Sequence, residues 1–179
     1  MPRFALPTLT LAVAVSLTAC AGSTKIASAV GPSSAPTRET AVAQTSAPAA
    51  ITAGQALNAL RKGVPTARLT GTVTAADDPN HLLGRPGQYT SKVTFSDSRI
   101  AASDTEGLDQ GDVERGGAVE VFTSADDAAR RMTYIQSVTK SMPAFAEYDY
   151  RHDTVRVRIS RFLTPSQAEA YKKAADPLG

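Results

Sequence analysis

The chain has 179 residues, 42% of them apolar, and a formal net charge of +2 from 19 basic and 17 acidic side chains. Arg3, Lys25, Arg38 and Glu39 account for that excess, so residues 51–179 carry 16 basic and 16 acidic side chains and balance to zero. This balance gives no bulk charge for holding a polyanion, so nucleic acid is not an expected partner, and the single cysteine, Cys20, excludes an intrachain disulfide framework.

Residues 1–19 read as an export signal. Arg3 supplies a minimal positive start, the run from Phe4 to Val15 is apolar except for Thr8 and Thr10, and small residues follow. The apolar run is shorter than the roughly 20 residues needed to span a bilayer. Leu17-Thr18-Ala19-Cys20 resembles the lipobox of bacterial lipoproteins. That resemblance implies cleavage before Cys20, acylation of its thiol with palmitate-type chains, and a lipid anchor on the extracytoplasmic face of the cell membrane. Each buried methylene of such chains contributes about 0.8 kcal/mol to membrane attachment. With Cys20 so consumed, no thiol is left for a metal site or a nucleophile, and neither a metal nor a cofactor is expected.

Residues 20–50 read as the lipidated cysteine followed by a tether. Of residues 21–50, 23 are Ala, Gly, Ser, Thr or Pro, with no Leu and no aromatic. This composition cannot bury enough apolar surface to offset its ordering entropy, so the segment is expected to be disordered. Its root-mean-square reach as a flexible coil is roughly 30 Å.

Residues 51–179 suffice for one domain. A first helix is expected from about Thr52 to Lys62, where Thr52 and Gln55 form a capping box, Leu57 and Leu60 mark one face, and Gly63 and Pro65 end the run. Leu69, Gly71 and Val73 suggest a strand. Tyr89, Ser91, Val93 and Phe95 alternate with polar residues as in a half-buried strand, and residues 117–122 form another. A second helix follows the cap Ser124, with Asp126 and Asp127 at its positive end and Ala128, Met132, Ile135 and Thr139 at helical spacing. A third opens at Thr164-Pro165 with Gln167 completing a capping box, and turns Ala168 and Tyr171 inward.

Between the last two helices, residues 144–160 read as a hairpin. Pairing Tyr150 with Val155 sets Tyr148 opposite Val157 on an apolar side. The same register sets Asp149 opposite Arg156 and Glu147 opposite Arg158 on a paired, solvated side. The tail is thus β-α-β-β-α. The fold expected is α+β, a single antiparallel sheet with helices packed on one face, in a ferredoxin-like split β-α-β arrangement.

The segments Gly116-Gly117-Ala118-Val119-Glu120-Val121-Phe122, Glu147-Tyr148-Asp149-Tyr150 and Leu163-Thr164-Pro165-Ser166-Gln167-Ala168, with the upstream run from Asp78 to Tyr89, resemble small, uncharacterised exported lipoproteins of actinobacteria. The resemblance spans most of residues 78–171; it implies an exported lipoprotein and no particular activity.

Motifs for catalysis are thin. Ser137-Val138-Thr139-Lys140 fits Ser-x-x-Lys, but Ser137 sits late in its helix and no companion motif accompanies it. Asp104, Glu106, Asp109, Asp112 and Glu114 do not follow calcium-loop spacing and read as a solvated loop. His81 and His152 lack a second histidine at ligand spacing. The remaining candidate is the loop of residues 75–89, where Leu82, Leu83 and Arg85 stand in a turn-rich segment either as a lid on the core or as a partner contact. The function expected is that of a membrane-anchored, non-enzymatic interaction module for an envelope protein or a cell-wall component. The alternative is a small-molecule carrier with a pocket between sheet and helices.

Overall fold

The computed structural model describes residues 50–178. The lipobox residues Leu17, Thr18, Ala19 and Cys20, and the tether up to residue 49, lie outside the described residues. The chain forms helix α1 (Ala53–Gly63), strands β1 (Ala67–Thr72), β2 (Tyr89–Asp97) and β3 (Gly116–Phe122), helix α2 (Ala125–Ser141), strands β4 (Glu147–His152) and β5 (Val155–Ser160), and helix α3 (Pro165–Ala175). Among the described residues, five strands make one antiparallel sheet in the order β1-β2-β3-β5-β4. β3 and β4 run parallel with β5 between them, which is the split β-α-β read from the sequence.

The helix starts follow their caps. The Thr52 hydroxyl accepts the Gln55 N–H while Gln55 Oε1 accepts the Thr52 N–H at 2.8 Å, and Thr164 and Gln167 repeat the arrangement. Such caps contribute about 1 kcal/mol each. Ser124 accepts the Asp127 N–H at the start of α2.

α1 and α3 pack together over one face of the sheet. Leu57, Leu60, Ala168 and Tyr171 meet Val93, Phe95, Val119, Val121, Val157 and Ile159 there, all buried. Each large side chain buried this way contributes roughly 1.5–3 kcal/mol. Among the described residues, the hydrophobic clusters span Ile51 to Leu178 and draw on all three helices and all five strands, so this segment holds a core of its own.

α2, placed with the other helices by the element order, lies over the opposite face. Its Ala128 packs on Tyr89 and Phe122, and its outer turns stand over Lys92 and Arg158. The physical reason is that this second face is not solvated. It carries the aromatic pair Tyr89–Phe122 and a row of charged side chains, both of which need cover.

Two readings change in detail. Tyr89 does not share a face with Val93 and Phe95, because a bulge between Tyr89 and Ser91 inserts an extra residue and inverts the alternation. Its ring meets Phe122 edge-on at 6.2 Å, and the Lys92 ammonium stands 5.3 Å from its centre. The terminal hairpin is two residues tighter than expected: His152 pairs with Val155, Tyr150 with Val157 and Asp149 with Arg158, around Asp153 and Thr154. A two-residue shift leaves every side chain on its expected face. The Asp149–Arg156 and Glu147–Arg158 ion pairs both form, as diagonal contacts.

Candidate functional site

A row of charge crosses four strands on the face beneath α2. Lys92 of β2 stands opposite Glu120 of β3, which stands opposite Arg156 of β5. Arg156 donates to Glu120 Oε2 at 2.8 Å and forks onto Asp149 at 2.9 and 2.6 Å. Arg158 forks onto Glu147 and lies 3.6 Å from Glu120 Oε1. Three cations and three carboxylates therefore balance. The row is not the solvated face expected from the hairpin: Arg156 and Glu120 are both 0% exposed. Burial pushes the Glu120 carboxyl up, but Arg156, Arg158 and Lys92 together outweigh it and hold it below the ordinary range. Asp149 is held above its ordinary value by burial, which its bonds to Arg156 only partly offset.

Lys92 is the exception in this row. It is 6% exposed, and its ammonium makes no hydrogen bond among the described residues. Its nearest carboxylate oxygen, Glu120 Oε1, is 3.9 Å away and is itself without a hydrogen bond. Burial pulls the lysine below its ordinary range, opposed by the Glu120 charge. The ammonium thus stands between the Glu120 carboxylate and the Tyr89 ring, and its N–H groups are open to the space above it.

Above Lys92 lies a cleft of about 460 Å³, walled by Ile135 and Val138 of α2, by Met142 and Phe145 just after it, and by the segment Leu108–Glu114, with Lys92, Glu147 and Arg158 on its floor. This volume is that of a small-ligand site. A second cleft of about 360 Å³ adjoins it, sharing Lys92, Pro79, Gly111 and Asp112, and is lined otherwise by polar side chains of β1, β2 and the loops. Met142 and Phe145, at 44% and 57% exposed, form an apolar rim.

The loop singled out in the sequence has a different part. Leu82 and Leu83 are half-buried and pack on Tyr89, Phe122 and Ala128. Their N–H groups donate to Asp78 Oδ2 at 2.8 and 2.9 Å, and the Tyr89 hydroxyl donates to the same carboxylate. Burial opposes the charge on Asp78, but these donors prevail and hold its pKa down at about 2. Arg85 is exposed on the turn Arg85–Gln88, where Gly87 has φ +71° as a type II turn requires. Leu82 and Leu83 therefore belong to the Tyr89 cluster, and none of the three candidate residues lines the cleft over Lys92.

Ser137 lies on the exposed side of α2 and donates to the Tyr134 carbonyl at 2.6 Å. Among the described residues no group of three His, Cys, Asp or Glu side chains is placed to hold a metal, and no helix is long and apolar enough to cross a membrane. In comparisons with known proteins, no family model, no curated sequence and no solved structure matches the chain.

Lys92 and the Leu108–Glu114 wall were missed by sequence reasoning. The available signal was Glu120, a lone carboxylate inside the apolar run Ala118–Phe122. An ion there has to be buried, and so has to be matched by cations on neighbouring strands.

Proposed function

We propose that this protein is a membrane-tethered, extracytoplasmic binding lipoprotein that holds a small amphipathic ligand in the cleft over Lys92. One observation carries the reading: a cleft bounded by both the sheet and α2 has an apolar wall and, on its floor, an ammonium that opens onto the cleft with no hydrogen-bond acceptor among the described residues. On this reading, acylation at the lipobox-like Leu17–Cys20 and a tether up to residue 50 would hold the cleft outside the membrane and near the bilayer. The test is native mass spectrometry of the lipidated protein extracted from its own envelope in mild detergent, beside a Val138→Phe variant that fills the cleft from the α2 wall. A small-molecule adduct on the unaltered protein, lost in the variant, is the expected result. An adduct-free spectrum, or one unchanged by the variant, overturns the reading.

A second reading has one observation of its own. Tyr134 is 58% exposed, its ring is stacked by the Arg131 guanidinium at 5.5 Å, and it shares a pocket of about 430 Å³ with Leu82 and Arg130. This surface suits an interaction module that docks an envelope protein or a wall component. Crosslinked capture of one partner, dependent on Tyr134 and Arg85, would favour it over the cleft.

A further inference from the structure

We infer that the ligand of the cleft is an amphiphile with a neutral, hydroxyl-rich head group, seated with its head on Lys92 beside Thr94 and Asp109 and its apolar portion along Ile135, Val138 and Phe145. The inference rests on the cleft being a ligand site, and adds the chemistry of what fills it.

The two adjoining clefts differ in character and meet at Lys92. The smaller is lined by Thr70, Thr72, Thr94, Gln110 and the carboxylates of Asp77, Asp109 and Asp112. Three carboxylates against one ammonium make it a poor seat for a phosphate or carboxylate head. A quaternary ammonium would meet Lys92 itself. Hydroxyl groups suit both signs, because each donates to a carboxylate and accepts from an ammonium. The partners they need are open: the Asp109 carboxylate accepts no hydrogen bond among the described residues, and Lys92 donates none. Thr70 donates to Thr94 Oγ1 at 3.0 Å, which leaves the Thr94 hydroxyl proton pointing elsewhere. Asp77 and Asp112 are engaged by the N–H groups of Thr74 and Asp109, so they hold the loops in place. The larger cleft supplies what an alkyl chain requires, an apolar wall with Phe145 and Met142 at an exposed rim that the chain would cover.

The experiment is calorimetric titration of soluble residues 45–179 with three probes sharing one chain length and kept below their micelle concentrations: octyl β-glucoside, octanoate and octyltrimethylammonium. The glucoside is expected to bind at least about tenfold more tightly than either charged probe, the margin of one charge-assisted hydrogen bond. Asp109→Asn, on an exposed loop where folding is not at stake, is expected to weaken the glucoside by about the same factor, as is Lys92→Met. Tightest binding by octanoate or the ammonium probe overturns the neutral head and leaves the cleft reading standing. Failure of all three probes, with an adduct still seen by native mass spectrometry, overturns the amphiphile class. Failure of both experiments overturns the cleft as a site.

Discussion

Lys92 Nζ stands 3.9 Å from Glu120 Oε1, directly across the β2–β3 ladder, and the two do not hydrogen-bond. Glu120 is instead held from its other side by Arg156 at 2.8 Å. Of the two cations that flank the same buried carboxylate in register, one closes the network and the other is left facing the cleft.

That division predicts unequal costs. Arg156→Met leaves Glu120 and Asp149 buried without their principal partner, and should destabilise the domain by about 3–5 kcal/mol. Lys92→Met keeps the aliphatic stem and the Glu120–Arg156 bond and removes no hydrogen bond, so it should cost at most about half as much. Urea unfolding of the two variants measures the difference. Equal losses would make Lys92 a structural ion and remove it from the site.

Asp78 sets an acid limit. Its carboxyl titrates at about 2 in the folded chain against an ordinary 3.8. A carboxyl lowered on folding stabilises the protein above its ordinary pKa and loses that contribution as pH falls through the folded value; here it amounts to roughly 2 kcal/mol. Asp97 is also lowered, by Arg99 and Tyr171 against the effect of burial, whereas Asp149 is raised by burial and contributes with the opposite sign. The contribution of Asp78 is therefore read as a difference. The stability gap between the unaltered domain and Asp78→Asn should be constant from pH 7 to 5 and shrink between pH 4 and 2. A gap independent of pH would mean that Asp78 is not ionised in the fold.

Much of the scaffold was legible because its signals are local. Thr52 with Gln55, Ser124 with Asp127 and Thr164 with Gln167 each satisfy helix ends within one turn, so sequence spacing alone finds them. The hairpin faces were legible through parity, since Tyr148 and Tyr150 on one side and Glu147 and Asp149 on the other are unaffected by a slip of two. Its exact register was not, because loops of two and four residues satisfy the same pattern. The face taken by α2 was also hidden. Its helical stripe needs an apolar partner, and that partner, Tyr89 with Phe122, exists only because a bulge turns Tyr89 over. The cleft itself depends on residues from five separate segments, which no single-segment motif records.

Gly117 permits the close stacking of β3 on its neighbours. A Cβ there would meet the Arg158 carbonyl oxygen at 2.2 Å and the Phe95 ring at 2.4 Å, and the carbonyl is backbone that cannot move aside alone. Gly117→Ala should therefore cost more than about 3 kcal/mol and leave little folded protein. Gly111, at the lip of both clefts, has nothing within 4 Å of a Cβ. Gly111→Ala should leave thermal stability within about 0.5 kcal/mol. The pair is compared by thermal unfolding, and a tolerated Gly117→Ala would contradict the β3 packing.

The tight hairpin makes its own demand on Asp153, whose φ of +47° lies in the left-handed region. An aspartate tolerates that conformation, a β-branched residue does not, and glycine adopts it freely. The turn is also tied to the centre of the sheet, since the Thr154 carbonyl accepts the Phe122 N–H at 2.9 Å. Asp153→Val should thus destabilise the domain by about 1–2 kcal/mol, with Asp153→Gly within about 0.5 kcal/mol of the unaltered chain. Both substitutions remove the same exposed carboxylate, so their difference isolates the backbone. Amide exchange at Phe122, followed by NMR, should accelerate in the valine variant alone. Equal behaviour of the two variants would instead favour the looser four-residue turn, in which residue 153 has no left-handed requirement.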